Sequence, residues 1–198
     1  MSEFMKWIDS YESYVENASF KGEQIVELMF DGSIEFDHCR FENCSFLHCR
    51  FQNVIFTSCE FIHCDFSNTT FRSCGMHHLK WNNCKWMGTI ILETRIKDIE
   101  MVECNLRYAV LDTCKINECK LLKCYAPYIR FTHVEWKEIE LDSLDLTGSE
   151  FAYTKLKGID LSTCQIEGIS VSVQDLRGVI VDTVQALQLC SLLEITVK

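Results

Sequence analysis

Proline occurs once in this chain, at Pro127, and glycine eight times in 198 residues, so a regular structure meets few breaks. No apolar run is long enough to span a membrane and no secretory leader is legible, which predicts a cytosolic protein. There is also no Gly-rich phosphate loop, no nucleophile elbow and no metalloprotease motif. The chain is therefore read as non-enzymatic, with no catalytic residue, metal or cofactor. Positive charge is in deficit: 29 Asp and Glu outnumber 19 Lys and Arg, a net charge of −10 at pH 7. Such a surface argues against nucleic acid or anionic membrane as a direct partner and suits a basic protein surface.

What the chain does have is a strict period of five. A large apolar residue stands at Phe36, Phe41, Phe46, Phe51, Phe56, Phe61, Phe66 and Phe71, and the phase continues to Val181. All 30 sites of this series are apolar, Ala126 being the smallest. The sites two residues earlier hold 12 of the 13 cysteines, with Val, Ile, Leu, Thr, Ala, Ser and Gln at the others. Neither helix nor strand has a period of five, so this is a repeat architecture. A second period of twenty emerges from the cysteines, because Cys44, Cys64, Cys84, Cys104, Cys124 and Cys164 share one column. Twenty residues then form one turn with four five-residue sides, stacked at a strand spacing of about 4.8 Å.

The cysteines are read as small inward hydrophobes, reduced and unpaired, since Val, Ile, Thr and Ala replace them at equivalent sites. The pairs His38-Cys39, His48-Cys49 and His63-Cys64 suggest zinc at first sight. Four ligands must converge for that, whereas Cys points in and its neighbouring His points out. A coil filled by its own side chains is expected to hold no cavity.

Outside the repeat, residues 2–17 read as an amphipathic capping helix with Phe4, Trp7, Ile8, Tyr11, Tyr14 and Val15 on one face. Residues 18–35 lead into the coil one residue out of phase, with Asp31-Gly32 as the adjusting turn. A bulge is expected at Cys124-Tyr-Ala126-Pro127-Tyr128 because Pro lacks an N–H. Residues 182–193 read as a second helix, capped by Asp182 with Gln185 completing a capping box. Its Val184, Leu187, Leu189, Leu192 and Leu193, with Ile195 beyond, are too many for one face to bury. They predict a homodimer joined through the C-termini. The expected organisation is thus 1–17 cap, 18–181 coil and 182–198 dimerisation segment.

The five-residue pattern resembles the pentapeptide-repeat family, which implies an all-β, right-handed quadrilateral β-helix. The tail from Asp175 to Val197, and Phe20-Lys-Gly-Glu-Gln-Ile25, resemble the Qnr-type quinolone-resistance subgroup, whose members bind DNA gyrase and topoisomerase IV by mimicking DNA. An unbroken phase means that this chain lacks the loops many of them carry. Sorting outward residues by twenty places Glu42, Glu60, Glu100, Glu103, Glu140, Asp142, Asp160 and Asp182 on one side, against Arg40, Lys80, Lys120 and Lys123. With the resemblance, Glu60, Glu100, Glu103, Glu140, Asp142 and Asp160 become the candidate topoisomerase-binding face. Met87, Ile90, Leu92 and Val110 are an apolar surface elsewhere. The alternative is a repeat scaffold for another protein partner, because the repeat specifies a fold and not a target.

Overall fold

A computed structural model describes residues 2–10 and 12–193 of the chain. Residues at the five-residue sites face the axis of a coil, and each pairs with the residue twenty later. Phe36 lies beside Phe56, Phe61 beside Trp81, Met101 beside Leu121 and Phe51 beside Phe71. The pairing is parallel throughout, and 16 strands join into one sheet wrapped around the axis. We number the sides by their central residues: side 1 from Phe36, side 2 from Phe41, side 3 from Phe46 and side 4 from Phe51.

Local chemistry sets the corners. The residue two after each central residue has positive φ almost throughout, for example His38 at 51°, Asn43 at 53°, Ser58 at 53° and His63 at 52°. Asn and His are among the side chains that best tolerate this left-handed region. The His-Cys pairs are explained by this: His makes the corner and the following Cys turns inward. Sides 1, 2 and 4 are mainly strands, whereas side 3, after the paired strands Gln24–Val26 and Ser45–Leu47, is a column of tight turns, which also replace the strands of sides 1 and 2 in the last coils. Its residues form i to i+3 bonds, Thr69 N–H to Phe66 carbonyl at 3.1 Å and Ala109 N–H to Leu106 carbonyl at 2.9 Å.

Pro127 sits in one of these turns and causes no bulge, contrary to expectation. At the equivalent positions the N–H of Ser67, Arg107 and Thr147 bonds the side chain of Asp65, Asn105 or Asp145, outside the ladder between coils. Pro127 therefore removes a donor that the ladder does not use. The ladder continues past it, with Ala126 N–H on the Asp145 carbonyl at 2.9 Å. Pro at the second position and positive φ at the third, here Tyr128 at 60°, suit a type II turn.

The inward residues make one continuous core. In the first coils it is a lattice of phenyl rings: Phe41 and Phe61 stack at 4.7 Å, Phe36 and Phe56 at 5.4 Å, Phe46 and Phe66 at 5.3 Å. Within each coil, rings meet edge to face, as with Phe56 and Phe61 at 5.7 Å. Both arrangements suit the ring quadrupole.

The cysteines lie where expected. All 13 are free thiols, and those of the repeat are buried. Apart from Cys119, whose thiol bonds the Asn117 carbonyl, each Sγ–H can donate to the central carbonyl of the coil below: Cys44 to Phe20 at 3.4 Å, Cys64 to Phe41 at 3.4 Å, Cys84 to Phe61 at 3.5 Å. Thr89 Oγ1 makes the same bond to the Phe66 carbonyl at 2.7 Å, and Ser149 Oγ to Ala126 at 3.2 Å. A small donor of the right length thus explains why Cys, Thr and Ser exchange in this column. Burial pushes the Cys74 and Cys114 thiols up to about 11 and Cys119 to about 12, keeping them neutral.

Two boundaries differ from expectation. Helix α1 spans only Glu3–Asp9, and Tyr14–Glu16 is already a strand, paired with the segment around Phe36. Val15 belongs to the coil, so strand pairing overrides helical amphipathicity there. The first coil is regular apart from one extra residue. Phe20 pairs with Phe41 and Ile25 with Phe46, an offset of 21, and the shift to 20 occurs between Asp31 and Ile34, as a register irregularity inside the continuous strand Met29–Asp37 and not as the turn expected at Asp31-Gly32. Helix α1 closes the first coil as expected, and does so with one ring. Phe4 is 1% exposed and sits 5.5 Å from Phe36 and 5.0 Å from Phe46.

At the other end, helix α2 spans Thr183–Leu189 and continues as a 3-10 turn, Cys190–Leu193. The Asp182–Gln185 capping box is present. The only buried side chain of α2 is Gln185, at 5% exposure. Its Nε2 donates to the carbonyls of Leu161 and Cys164, both at 2.7 Å. In earlier coils a backbone N–H from the next coil fills the second role, as when Gln165 N–H bonds Leu144 at 2.8 Å. A side-chain amide thus terminates the ladder.

Candidate binding surfaces

The acidic residues singled out on side 2 do share a surface, but the register interleaves them with cations. Reading down one column gives Arg40, Glu60, Lys80, Glu100, Lys120 and Glu140, each paired with the next. Arg40 contacts Glu60, and Lys120 reaches Glu140 at 3.2 Å. This column is a charge-alternating ladder, so its cross-strand pairs are attractive and its net field is small. Glu103, Asp142 and Asp160 flank it. A hydrogen bond from the Ser162 hydroxyl, then its backbone N–H, holds Asp160 below the usual carboxylate range.

A denser row of carboxylates runs along the corner between sides 1 and 2. Asp98, Glu118 and Glu138 occupy the same position in three successive coils, with φ of 52°, 55° and 55°. Two residues further on stand Glu100 and Glu140 in the first and third of these coils and Lys120 in the second. Glu is a poorer left-handed residue than the Asn and His used in the first coils. His78 Nδ1 lies 2.7 Å from Asp98, Lys97 lies 3.8 Å from Glu118 and Lys137 lies 2.9 Å from Glu138. The sum over side 1 hides this row, because its anions and cations cancel. Sorting each outward column by twenty would have found it.

The cations of side 1 are also segregated. Lys97, Lys137, Lys157 and Arg177 fall in one column, with Arg95, Lys115 and Lys155 beside it. They border two shallow grooves, one near Asn117 and the other near Gln174. Exposed aromatics mark the corner between sides 3 and 4: Tyr108 and Tyr128 stack at 5.3 Å, and Arg107 lies 4.7 Å over the Tyr108 ring. Met87 and Ile90 are exposed nearby, whereas Leu92 and Val110 are half-buried.

At the C-terminus, Val184 and Leu187 are 64% and 52% exposed. Leu189 packs on the core and Leu192 is half-buried. The Leu193 side chain and Ile195 lie outside the described residues. Near the first coil, ligand atoms of Glu16, Asp37 and His38 lie within 4.8 Å of one another on the surface. The Tyr14 hydroxyl donates to Asp37 at 2.8 Å, which raises the tyrosine to about 12 and, against the desolvation of Asp37, helps to lower the carboxyl. Among the described residues no helix is long and apolar enough to cross a membrane.

The family described as pentapeptide repeats (9 copies) matches residues 36–79, and the same inward register continues through every coil above. Residues 36–79 thus carry the pentapeptide repeat, and the rest of the coil keeps its five-residue register. No curated protein matches it. Solved structures do. A trypsin-treated form of QnrB1, a plasmid-mediated fluoroquinolone resistance protein, is 18% identical, with 93% of this chain and 99% of that one covered and a TM-score of 0.35. HetL, a pentapeptide-repeat protein involved in heterocyst differentiation regulation in the cyanobacterium Nostoc, is 9% identical over 91% and 94%, with a TM-score of 0.46. Rfr23, a pentapeptide-repeat protein from the cyanobacterium Cyanothece, is 10% identical over 70% and 92%, with a TM-score of 0.37.

Proposed function

We propose that this repeat protein is a non-catalytic binding protein that presents the corner row Asp98–Glu118–Glu138, with Glu100 and Glu140, to the basic DNA-binding surface of a type II topoisomerase and so blunts quinolones. The row is the observation that carries the reading. Its carboxylates recur once per coil, about 4.8 Å apart. One strand of DNA carries a phosphate about every 3.4 Å. A single carboxylate row therefore approaches the charge spacing of one strand, which the alternating ladder of side 2 does not. The likeness of the tail to the Qnr-type subgroup and the net charge of −10 support the same partner.

Exposed Val184 and Leu187 support a two-fold dimer through the C-terminal helix, each patch meeting its own image. Two coils end to end extend the carboxylate row on both sides of the axis, as a symmetric partner requires. The test is DNA gyrase supercoiling with ciprofloxacin, with and without the protein. Wild type is expected to restore supercoiling. The triple variant Asp98→Lys, Glu118→Lys, Glu138→Lys is expected to lose that effect with an unchanged circular dichroism spectrum. Full activity in the triple variant would refute the role of the row, and no effect of wild type would refute topoisomerase as partner. The segregated cations of side 1 favour a second reading, a scaffold whose partner is acidic, and pull-down by a polyglutamate resin would support it.

A further inference from the structure

The core is not filled evenly along its axis. From Phe36 to Phe71 every central residue is Phe, and these rings are 0–5% exposed. From Ile96 to Ala126 the central residues are Ile, Met, Leu, Leu, Ile, Leu and Ala. Four aliphatic side chains at one level cannot span the width that four phenyl rings span. The shortfall is an interior cavity of about 70 Å³. Trp81 and Trp86 form its floor, Leu111 and Ile116 stand in its walls, and Phe131 and Trp136 lie across its top. Residues at inward positions here keep residual exposure, 9% at both Met101 and Leu111. This overturns the expectation of a coil with no cavity.

The wall is wholly apolar. A buried water needs two to four polar partners, so water is not held there. The Trp81 and Trp86 indole N–H groups have no hydrogen-bond partner, and the two rings cross at 90° with centroids 5.2 Å apart. The floor is therefore polarisable aromatic surface, which attracts through dispersion.

The cavity also has a way out. Strand Glu135–Asp142 is the last strand on sides 1 and 2. Between it and residues 155–160 the backbone ladder lapses. Where other coils bond backbone to backbone, as Lys123 N–H to Asp142 at 2.8 Å, the indole N–H of Trp136 takes the Lys155 carbonyl at 2.6 Å. Ser143 N–H likewise bonds the Thr163 hydroxyl at 3.2 Å. Trp136, Ile139 and Leu141 occupy inward positions yet are only partly buried. The coils part at this point, and Trp136 spans the gap.

We propose that this cavity is a binding site for one small, uncharged, apolar molecule that enters past Trp136. Its 70 Å³ is about half of the roughly 150 Å³ at which a dry protein cavity admits benzene or xenon. The ligand class is thus a single polarisable atom or a molecule of two or three heavy atoms, such as a dissolved gas or a short hydrocarbon. Charged ligands and hydrogen-bond donors find no partner in the lining, whose unpaired polar groups are the two indole N–H donors.

Xenon is the probe. Crystals of the full chain under xenon pressure are expected to show one anomalous peak between Trp86 and Phe131. Leu111→Phe, which extends the ring stack of Phe131 and Phe151 into the void, is expected to abolish it. Leu111→Ala is expected to raise occupancy and to admit benzene, read as a benzene-dependent rise in Tm that wild type lacks. If Leu111→Phe does not fold, xenon-induced methyl shifts of Leu111, Ile116 and Met101 in wild type decide the matter. Ordered water in the cavity, or no xenon in wild type at a pressure that fills Leu111→Ala, would overturn the proposal.

Discussion

Replacing Gln185 by Ala should loosen the C-terminal end of the coil, and the hydrogen bonds set the size of the effect. Three bonds to the side chain disappear: Nε2 to Leu161 and to Cys164, and Oε1 from the Asp182 N–H at 2.8 Å. At about 1 kcal/mol net each they contribute about 3 kcal/mol. The Leu161 carbonyl keeps a second donor, the Cys164 N–H at 2.8 Å. No other protein donor reaches the Cys164 carbonyl among the described residues. Leaving it unpaired adds about 1–3 kcal/mol. Freed rotamers of the lost glutamine offset about 1–2 kcal/mol. The expected loss is therefore about 3 kcal/mol. In a solenoid it appears first as local opening of the last coil. Hydrogen exchange should accelerate at residues 161–164 while that of the first coils stays unchanged, and the denaturation midpoint should fall. Gln188→Ala, on the exposed side of the same helix, should change stability by less than about 0.5 kcal/mol. Gln185→Glu keeps the acceptor and sets a carboxylate against two carbonyls, so its folded pKa rises. The penalty is then full at neutral pH and shrinks as pH falls toward the unfolded value of about 4.3. Wild-type exchange at residues 161–164 in Gln185→Ala would refute the reasoning.

The other end should depend on Phe4: Phe4→Ala opens a void among five rings and is expected to cost about 3–5 kcal/mol, measured by urea unfolding. Phe56→Asp buries a charge with no partner and should prevent folding of its coil, seen as lost β signal in circular dichroism. Cys64→Thr should be tolerated, because Thr89 makes the same bond to a central carbonyl at the equivalent position of another side, and EDTA should leave Tm unmoved. Tyr14 should titrate near 12 by ultraviolet difference against Tyr14→Phe, and Asp37→Asn should return it toward 10. Since the folded state holds this proton more tightly, whatever stability the bond contributes is present below pH 10 and lost between 10 and 12. Wild type should behave as a dimer in light scattering and Val184→Glu with Leu187→Glu as a monomer, and a wild-type mass of 23.1 kDa would end the dimer reading.

The period of five was enough to place Phe36, Cys44 and their equivalents inside the coil. Side-chain direction repeats with the chain, so a local pattern decides it. The cysteine column yielded the turn of twenty for the same reason, and the slip at Asp31-Gly32 was legible as a break in phase. The capping box of Gln185 could be read as well, since its partner Asp182 is three residues away. That this glutamine also ends the ladder could not, because the carbonyls it meets belong to Leu161 and Cys164, a full coil earlier. The same limit applies to the surface. The acidic side was named from a sum over residues, whereas charge acts between neighbours. The column-by-column register shows that Glu60, Glu100 and Glu140 alternate with cations while Asp98, Glu118 and Glu138 stack, and a sum over whole sides hides both. The cavity lies furthest from local reading. Each of Met101, Leu111 and Ile116 suits an inward site, and nothing within five residues marks a defect. Whether four such side chains meet across the axis is a question of summed volume between residues brought together by the coil, and only the tertiary structure answers it.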